Sequence, residues 1–416
     1  MQQFSMRNGL LIVALIIVAA AALSWANFQF ADNNPGGNDF LPRWLGTRLY
    51  LSDRLNPYSE ETTTAIQQAI YGRPAIEGDD QALFAYPFYS MIVFSPFSAI
   101  ADYALARALW MTTLQIALLL SALIAISLGR WQPGRGNLIA FLIFSIAWYH
   151  GARPMINGNA AILVALFIAA GLWLLRAEQD VWAGIVFSLS TIKPQMVVLF
   201  LPLVIIWAVS HRRLTLVLSY SLSMLVLLAA SFLLQPTWLL DAIRQVLTYS
   251  SYTPPGTLAG VLAQWWPANG QLLGWIISIL LSFLLLYEWW LSFGKNFDWL
   301  LWTAALTLVL SQLVGVPTTT ANFASLLIVF PLIFAAWDRR IGKEVSGPIL
   351  AGLASLFVLL WLLFVNTLLQ GSQFREHLIM LFPVPVVLLI NLYWLRWWAL
   401  RPAEVSYPAK RARRKK

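Results

Sequence analysis

Charge is what this chain has least of. Only 11% of its 416 residues are Asp, Glu, Lys or Arg, against about 25% in a soluble domain. Hydrophobic residues make up 59%, and the mean hydropathy is +0.70. That balance excludes a soluble globular domain. Cysteine is absent, so there is no disulfide, no thiolate metal site and no thiol to carry a lipid. The three histidines, His150, His211 and His377, lie far apart in sequence, which speaks against a histidine metal cluster. A phosphate-binding loop, a dinucleotide fingerprint and a zinc-protease helix are missing too, which argues against nucleotide-driven chemistry.

Long apolar runs separated by short polar breaks are abundant instead. A spanning helix needs about 20 such residues, and the runs predict an all-α polytopic membrane protein with about 11–13 transmembrane helices. The spans are expected near 10–28, 103–128, 137–150, 158–176, 180–192, 195–210, 214–234, 272–291, 299–315, 322–337, 346–369 and 378–396. Residues 83–100, interrupted by Pro87 and Pro96, read as re-entrant or interfacial. The first run, after Arg7, has the small residues Ala20, Ala21, Ala22 and Ala26 of a cleavable signal, but is expected to be a retained helix.

The formal charge of +9 is topological rather than a nucleic-acid footprint. Arg130, Arg135, Arg176, His211-Arg212-Arg213, Lys295, Arg339-Arg340, Lys343 and the tail Lys410 to Lys416 fall on one side of the expected spans. The positive-inside rule makes that side cytoplasmic, with both termini on it, in a plasma-membrane protein. Paired tryptophans at span ends, such as Trp265-Trp266 and Trp397-Trp398, suit an aromatic belt. The chain divides into a membrane module at 1–215, C-terminal helices at 216–396 and a basic tail at 397–416. Within the module, residues 29–85 form the most polar long stretch. Leu41, Trp44, Leu45, Leu49 and Leu55 there fit helical spacing, so the first outer loop is expected to fold against the membrane.

Three places on the outer side carry chemistry. Asp39, in Gly36-Gly37-Asn38-Asp39, is a carboxylate just above the membrane, able to act as a general base towards a hydroxyl or to cap the following helix. Lys193, before Pro194, interrupts an apolar stretch; it suits a phosphate partner or a lysine snorkelling to headgroups. Arg153, Asn157 and Asn159 open a span and suit phosphate and sugar hydroxyls or a helix cap.

These pieces, taken in order, resemble glycosyltransferase family 87, a membrane family of the GT-C superfamily. The resemblance runs over residues 10–215 through Asp39, Asn56-Pro57-Tyr58, Tyr86-Pro87 with Pro96, Gly158-Asn159 where the family often has Gly-Gln, and Ala183-Gly184 with Lys193-Pro194. It implies a GT-C-like bundle and inverting transfer of mannose or another hexose from a polyprenyl-phosphate donor. Asp39 would be the base, Lys193 and Arg153 the phosphate partners, and Asn157, Asn159, Tyr58 and Tyr86 contacts to sugar or acceptor. The acceptor would be a glycan, glycolipid or protein. No cofactor is required, although a divalent metal is compatible. Two readings from other classes stand beside it: a transporter or flippase for a lipid-linked or amphipathic substrate, and a scaffold recruiting anionic lipid through its tail.

Overall fold

The computed structural model describes residues 6–252, 256–342, 345–368 and 376–400. Lys343, residues 370–375 and the tail from 401 onwards, all used in the expected topology, lie outside the described residues. Helices follow one another as α1 (Met6–Asn33), α2 (Leu41–Asp53), α3 (Glu60–Tyr71), α4 (Met91–Ser98), α5 (Tyr103–Gly129), α6 (Arg135–Ala147), α7 (Tyr149–Asn157), α8 (Ala161–Arg176) and α9 (Asp180–Ser190). The second half holds α10 (Phe200–Ser210), α11 (Leu214–Leu234), α12 (Trp238–Tyr252), α13 (Leu258–Trp265), α14 (Gly270–Ser292), α15 (Phe297–Leu310), α16 (Val329–Ile341), α17 (Ser346–Thr367) and α18 (Pro383–Leu400). No strand occurs among the described residues, so the polytopic all-α architecture is as expected.

Among the described residues, seven helices are long and apolar enough to cross a bilayer, eight if α6 and α7, bent by 42° at Trp148, form one broken span. The expected 11–13 is met only by adding the five shorter apolar helices. The breaks have local causes. Trp148 sits in an extended conformation between α6 and α7. Pro194 begins a 3-10 turn that separates α9 from α10. Residues 320–328, expected as plain helix, wind as a buried 3-10 segment before α16. Lipid does not tolerate such irregular backbone unless protein covers it, and this segment is buried throughout.

The first loop is folded, but it starts later than expected because α1 continues to Asn33. α2 follows the anticipated leucine and tryptophan spacing. α3 was not anticipated; Ser59 caps it by accepting from Thr62 N, and Gly72 closes it. Phe40, Trp44, Phe84 and Phe88 join Phe94 and Trp110 in one apolar cluster that runs on to Leu400. The loop is therefore part of the bundle's core. The polar stretch 235–271, expected as loop, folds into α12 and α13.

Contacts sort the polar breaks into two ends. At one end Arg130 pairs with Asp298 at 3.3 Å, Arg176 donates to the Ser127 and Leu128 carbonyls, Trp131 Nε1 donates to Asp338, and Arg213 pairs with Asp180. At the other end Asp39 meets Asn157, Lys193 meets Asn159, Gly256 meets Thr318, and Glu376 meets Thr320. Arg130, Arg176 and Arg213 thus lie at one end, apart from the contacts of Asp39 and Lys193.

A buried ion pair fastens α14 to α18. Arg396 reaches Glu288 through two nitrogens at 3.0 and 2.9 Å, and Glu288 is almost fully buried. Removing one partner of such a pair leaves the other unmatched, at a cost of about 3 kcal/mol. Arg396→Met is expected to lower the unfolding midpoint in detergent, and Glu288→Gln/Arg396→Met to recover much of the loss. Equal midpoints for the single and double variants would show that the pair does not hold these helices together.

Candidate active site

Asp39 lies in the turn between α1 and α2. Its backbone N–H and that of Phe40 both donate to the Asn157 carbonyl at 3.1 Å, one of the acceptors left over at the end of α7. Gly158 permits this approach. A Cβ there would lie 2.5 Å from the Phe40 Cβ, and the Gly158 carbonyl accepts from Trp110 Nε1 at 2.8 Å.

Beneath the turn sits Arg107, only 2% exposed. It donates to the Asn34 carbonyl at 2.7 Å and the Ile156 carbonyl at 3.2 Å, joining the Asp39 turn to α7. Tyr103 donates to the Gly36 and Gly37 carbonyls beside it. Gly37 has φ +79°, and a Cβ on it would meet the Tyr103 hydroxyl at 2.5 Å and Arg107 Nε at 2.8 Å. Arg107 was not anticipated, although an arginine in the second turn of an expected span was a readable signal.

The Asp39 carboxylate is half-buried and makes no hydrogen bond or ion pair to the described residues. The alternative role as a helix cap is not realised, since the N-cap of α2 is Phe40, with no side-chain cap. Arg43, one turn on, donates to the Asp39 carbonyl and lies 4.5 Å from the Tyr86 ring centroid. It too was missed as a site residue.

Lys193 lies in the break between α9 and α10 and is 4% exposed. Residues before proline favour extended backbone, and Lys193 has ψ +80°. Its Nζ donates to Asn159 Oδ1 at 2.9 Å. The snorkelling alternative does not hold, because the ammonium is buried among protein atoms. Burial, the largest influence, lowers its pKa to about 8; the Asp39 charge acts in the opposite sense, and Arg43 adds to the lowering. Asp39, Arg43 and Lys193 therefore form one electrostatic group without a direct ion pair. Asn159 serves two roles: its Oδ1 also accepts from Ala161 N, capping the first turn of α8.

The remaining expected residues divide. Asn157 is held at the site by its carbonyl, and its half-buried side chain makes no hydrogen bond to the described residues. Tyr58 is buried in the wall, donating to the Tyr86 carbonyl at 2.7 Å, while Tyr86 supports Arg43 with its ring. Arg153 shares a face of α7 with Asn157 at i, i+4 spacing but is turned to a neighbouring cluster. There it lies 3.8 Å from Glu376, which accepts from the Tyr149 and Thr320 hydroxyls. Glu376 carried no recognisable motif in the sequence. Among the described residues, no three of His, Asp and Glu gather closely enough to hold a metal ion.

The group pairs a half-buried carboxylate with a buried, weakly paired cation, a combination that suits proton removal beside a phosphate. Residues 84–251 match the model of glycosyltransferase family 87. The match covers less than half of the chain and agrees with the resemblance read from its sequence. It takes in Tyr86, Arg153, Asn157, Asn159 and Lys193, and begins after Asp39 and Tyr58. No curated protein and no solved structure is similar enough to this chain to be matched.

The turn under Asp39 makes a steric prediction. Gly37→Ala combines a left-handed dihedral, costing on the order of 1–3 kcal/mol, with a clash against Tyr103 and Arg107. Gly72→Ala has a similar dihedral, φ +68°, in open space. Thermal unfolding in detergent is expected to show a clearly larger loss for Gly37→Ala. Equal losses would mean that the turn is not pressed onto Arg107.

Proposed function

We propose that this protein transfers a sugar, mannose or another hexose, from a polyprenyl-phosphate donor to an acceptor hydroxyl at the outer membrane surface. The reading rests on one observation above the others: the unbonded carboxylate of Asp39 beside the buried ammonium of Lys193. The acceptor oxygen attacks the anomeric carbon from the face opposite the phosphate, which inverts the configuration. Its proton passes to Asp39, the bond from anomeric carbon to phosphate oxygen breaks, and polyprenyl phosphate leaves with the electron pair.

Negative charge grows on that phosphate as the bond breaks, so a preorganised cation lowers the barrier. Lys193 fits this role better than Arg153, because its hydrogen-bond partner is the neutral Asn159 amide whereas Arg153 already faces Glu376. Arg43 adds positive potential to the same group. The Asn157 amide is available to a sugar hydroxyl. A lipid donor leaves its tail among the spans and needs no nucleotide site, in keeping with the absence of nucleotide motifs. The acceptor, a glycan, glycolipid or protein, presents a hydroxyl to Asp39.

Reconstituted protein supplied with polyprenyl-phosphate mannose and related hexose donors is the direct test. Asp39→Asn, nearly isosteric with the native side chain, is expected to lose on the order of 10²–10⁴-fold in transfer. Unchanged transfer would remove Asp39 as the base. Translocation of substrate with no new glycosidic bond would replace the proposal with a transporter.

The Lys193 group gives a pH signature. The free protein holds the ammonium charged below about pH 8 and loses it as pH rises through that value. The kcat/KM for the lipid donor is therefore expected to fall above about pH 8. Lys193→Arg should move that fall upward, because a guanidinium keeps its proton. A pH profile identical in the two proteins would separate Lys193 from donor binding.

A further inference from the structure

α12 is an amphipathic helix turned inside out. Its 15 residues span about 22 Å, too short to cross a hydrocarbon core of about 30 Å. Trp238, Ala242 and Gln245, at i, i+4 and i+7, are buried against the protein. Leu239, Leu240, Ile243 and Val246 form the outward face, and Leu240 is 61% exposed. Asp241 and Arg244 lie on the sector between them.

We infer that the outward face of α12 is a membrane-docking surface, with the helix lying in the lipid interface at the Asp39 end of the bundle. The occupant is argued from continuity. α11, which leads into α12 through Gln235-Pro236-Thr237, is a candidate span with only 11% of its apolar window buried. Its exposed Val226 and Leu233 face lipid, and the apolar surface resumes beyond the bend at Leu239 and Leu240. Four aliphatic side chains left in water would forfeit about 25 cal/mol for each Å² of apolar surface. Seated in the interface they are buried, while Arg244, 77% exposed, reaches water and headgroups.

The inward face gives this seat a consequence for the site. Asp241 accepts from Asn56 at 3.1 Å. Gln245 donates to the Tyr58 carbonyl and accepts from Ala85 N, next to the Tyr86 that supports Arg43. Trp238 packs on Tyr89, whose hydroxyl donates to the Thr191 carbonyl, two residues before Lys193. A helix resting on lipid thus fastens both the first loop and the Lys193 break, and so sets their depth relative to the headgroups.

The natural absence of cysteine allows single-cysteine nitroxide labelling of the full chain. Labels at Leu240→Cys, Val246→Cys, Arg244→Cys and, as a hydrocarbon reference on α11, Val226→Cys would be compared in phosphatidylcholine vesicles. Collision with oxygen and with a water-soluble nickel chelate reads the depth of each label. Positions 240 and 246 are expected to favour oxygen as position 226 does, and position 244 to favour the chelate. Chelate access at 240 and 246 would overturn the inference. So would shielding of both from either reagent, the mark of a protein partner or second copy, or oxygen preference at 244, the mark of full immersion. Two labelled positions on one face keep the result readable if one variant fails to fold.

Discussion

The carbonyl of Asn157 is the acceptor on which the candidate site depends. Two consecutive N–H groups, of Asp39 and Phe40, converge on it, so the first loop is registered against the end of α7 by backbone alone. Arg107 locks the arrangement from below, because it holds the carbonyl of the preceding residue, Ile156, and that of Asn34 in the approaching chain. Side-chain chemistry at Asp39 is then free for other use: the residue is positioned without spending its carboxylate on structure.

The charges here are left incompletely matched where the rest of the protein matches them. Glu288 has Arg396, Asp180 has Arg213, and Asp79 has Arg73. Arg107 is held by neutral carbonyls with its Nε buried and unpartnered, Lys193 by an amide, and the Asp39 carboxylate by nothing among the described residues. Burying cations without carboxylates is costly, and folded chains tolerate it chiefly where the local excess of charge has a use. The phosphate of the proposed donor would balance these cations.

The large features were legible because they are periodic or compositional. Apolar runs located α5, α11, α14 and α17 nearly to their ends, and leucine spacing revealed α2. The ends of the bundle followed from where Arg130, Arg176 and Arg213 fell in the sequence. Pairwise contacts across long separations were not legible: nothing local to Arg107 points to Asn34 or Ile156, and nothing local to Glu376 points to Tyr149. The chain alone likewise gave no sign that Glu376, more than two hundred residues on, would face Arg153. Asp39 and Lys193 were legible singly, each as a charge at an apolar boundary, but their electrostatic pairing required the fold.

The shortness of several expected spans bears on the site. Hydropathy registers α8, α9 and α10 as spans because they are apolar, yet none is long enough to cross by itself. Their shortness places backbone breaks at Gly158-Asn159 and at Lys193-Pro194, at the end where Asp39 lies. Breaks leave unpaired carbonyls and N–H groups that lipid will not satisfy, so they persist only where protein covers them. Asn159 covers both, capping α8 with the same oxygen that holds Lys193. A continuous helix in either place would have been easier to build, but it would have had no turn at which to hold a lysine inside the protein beside Asp39.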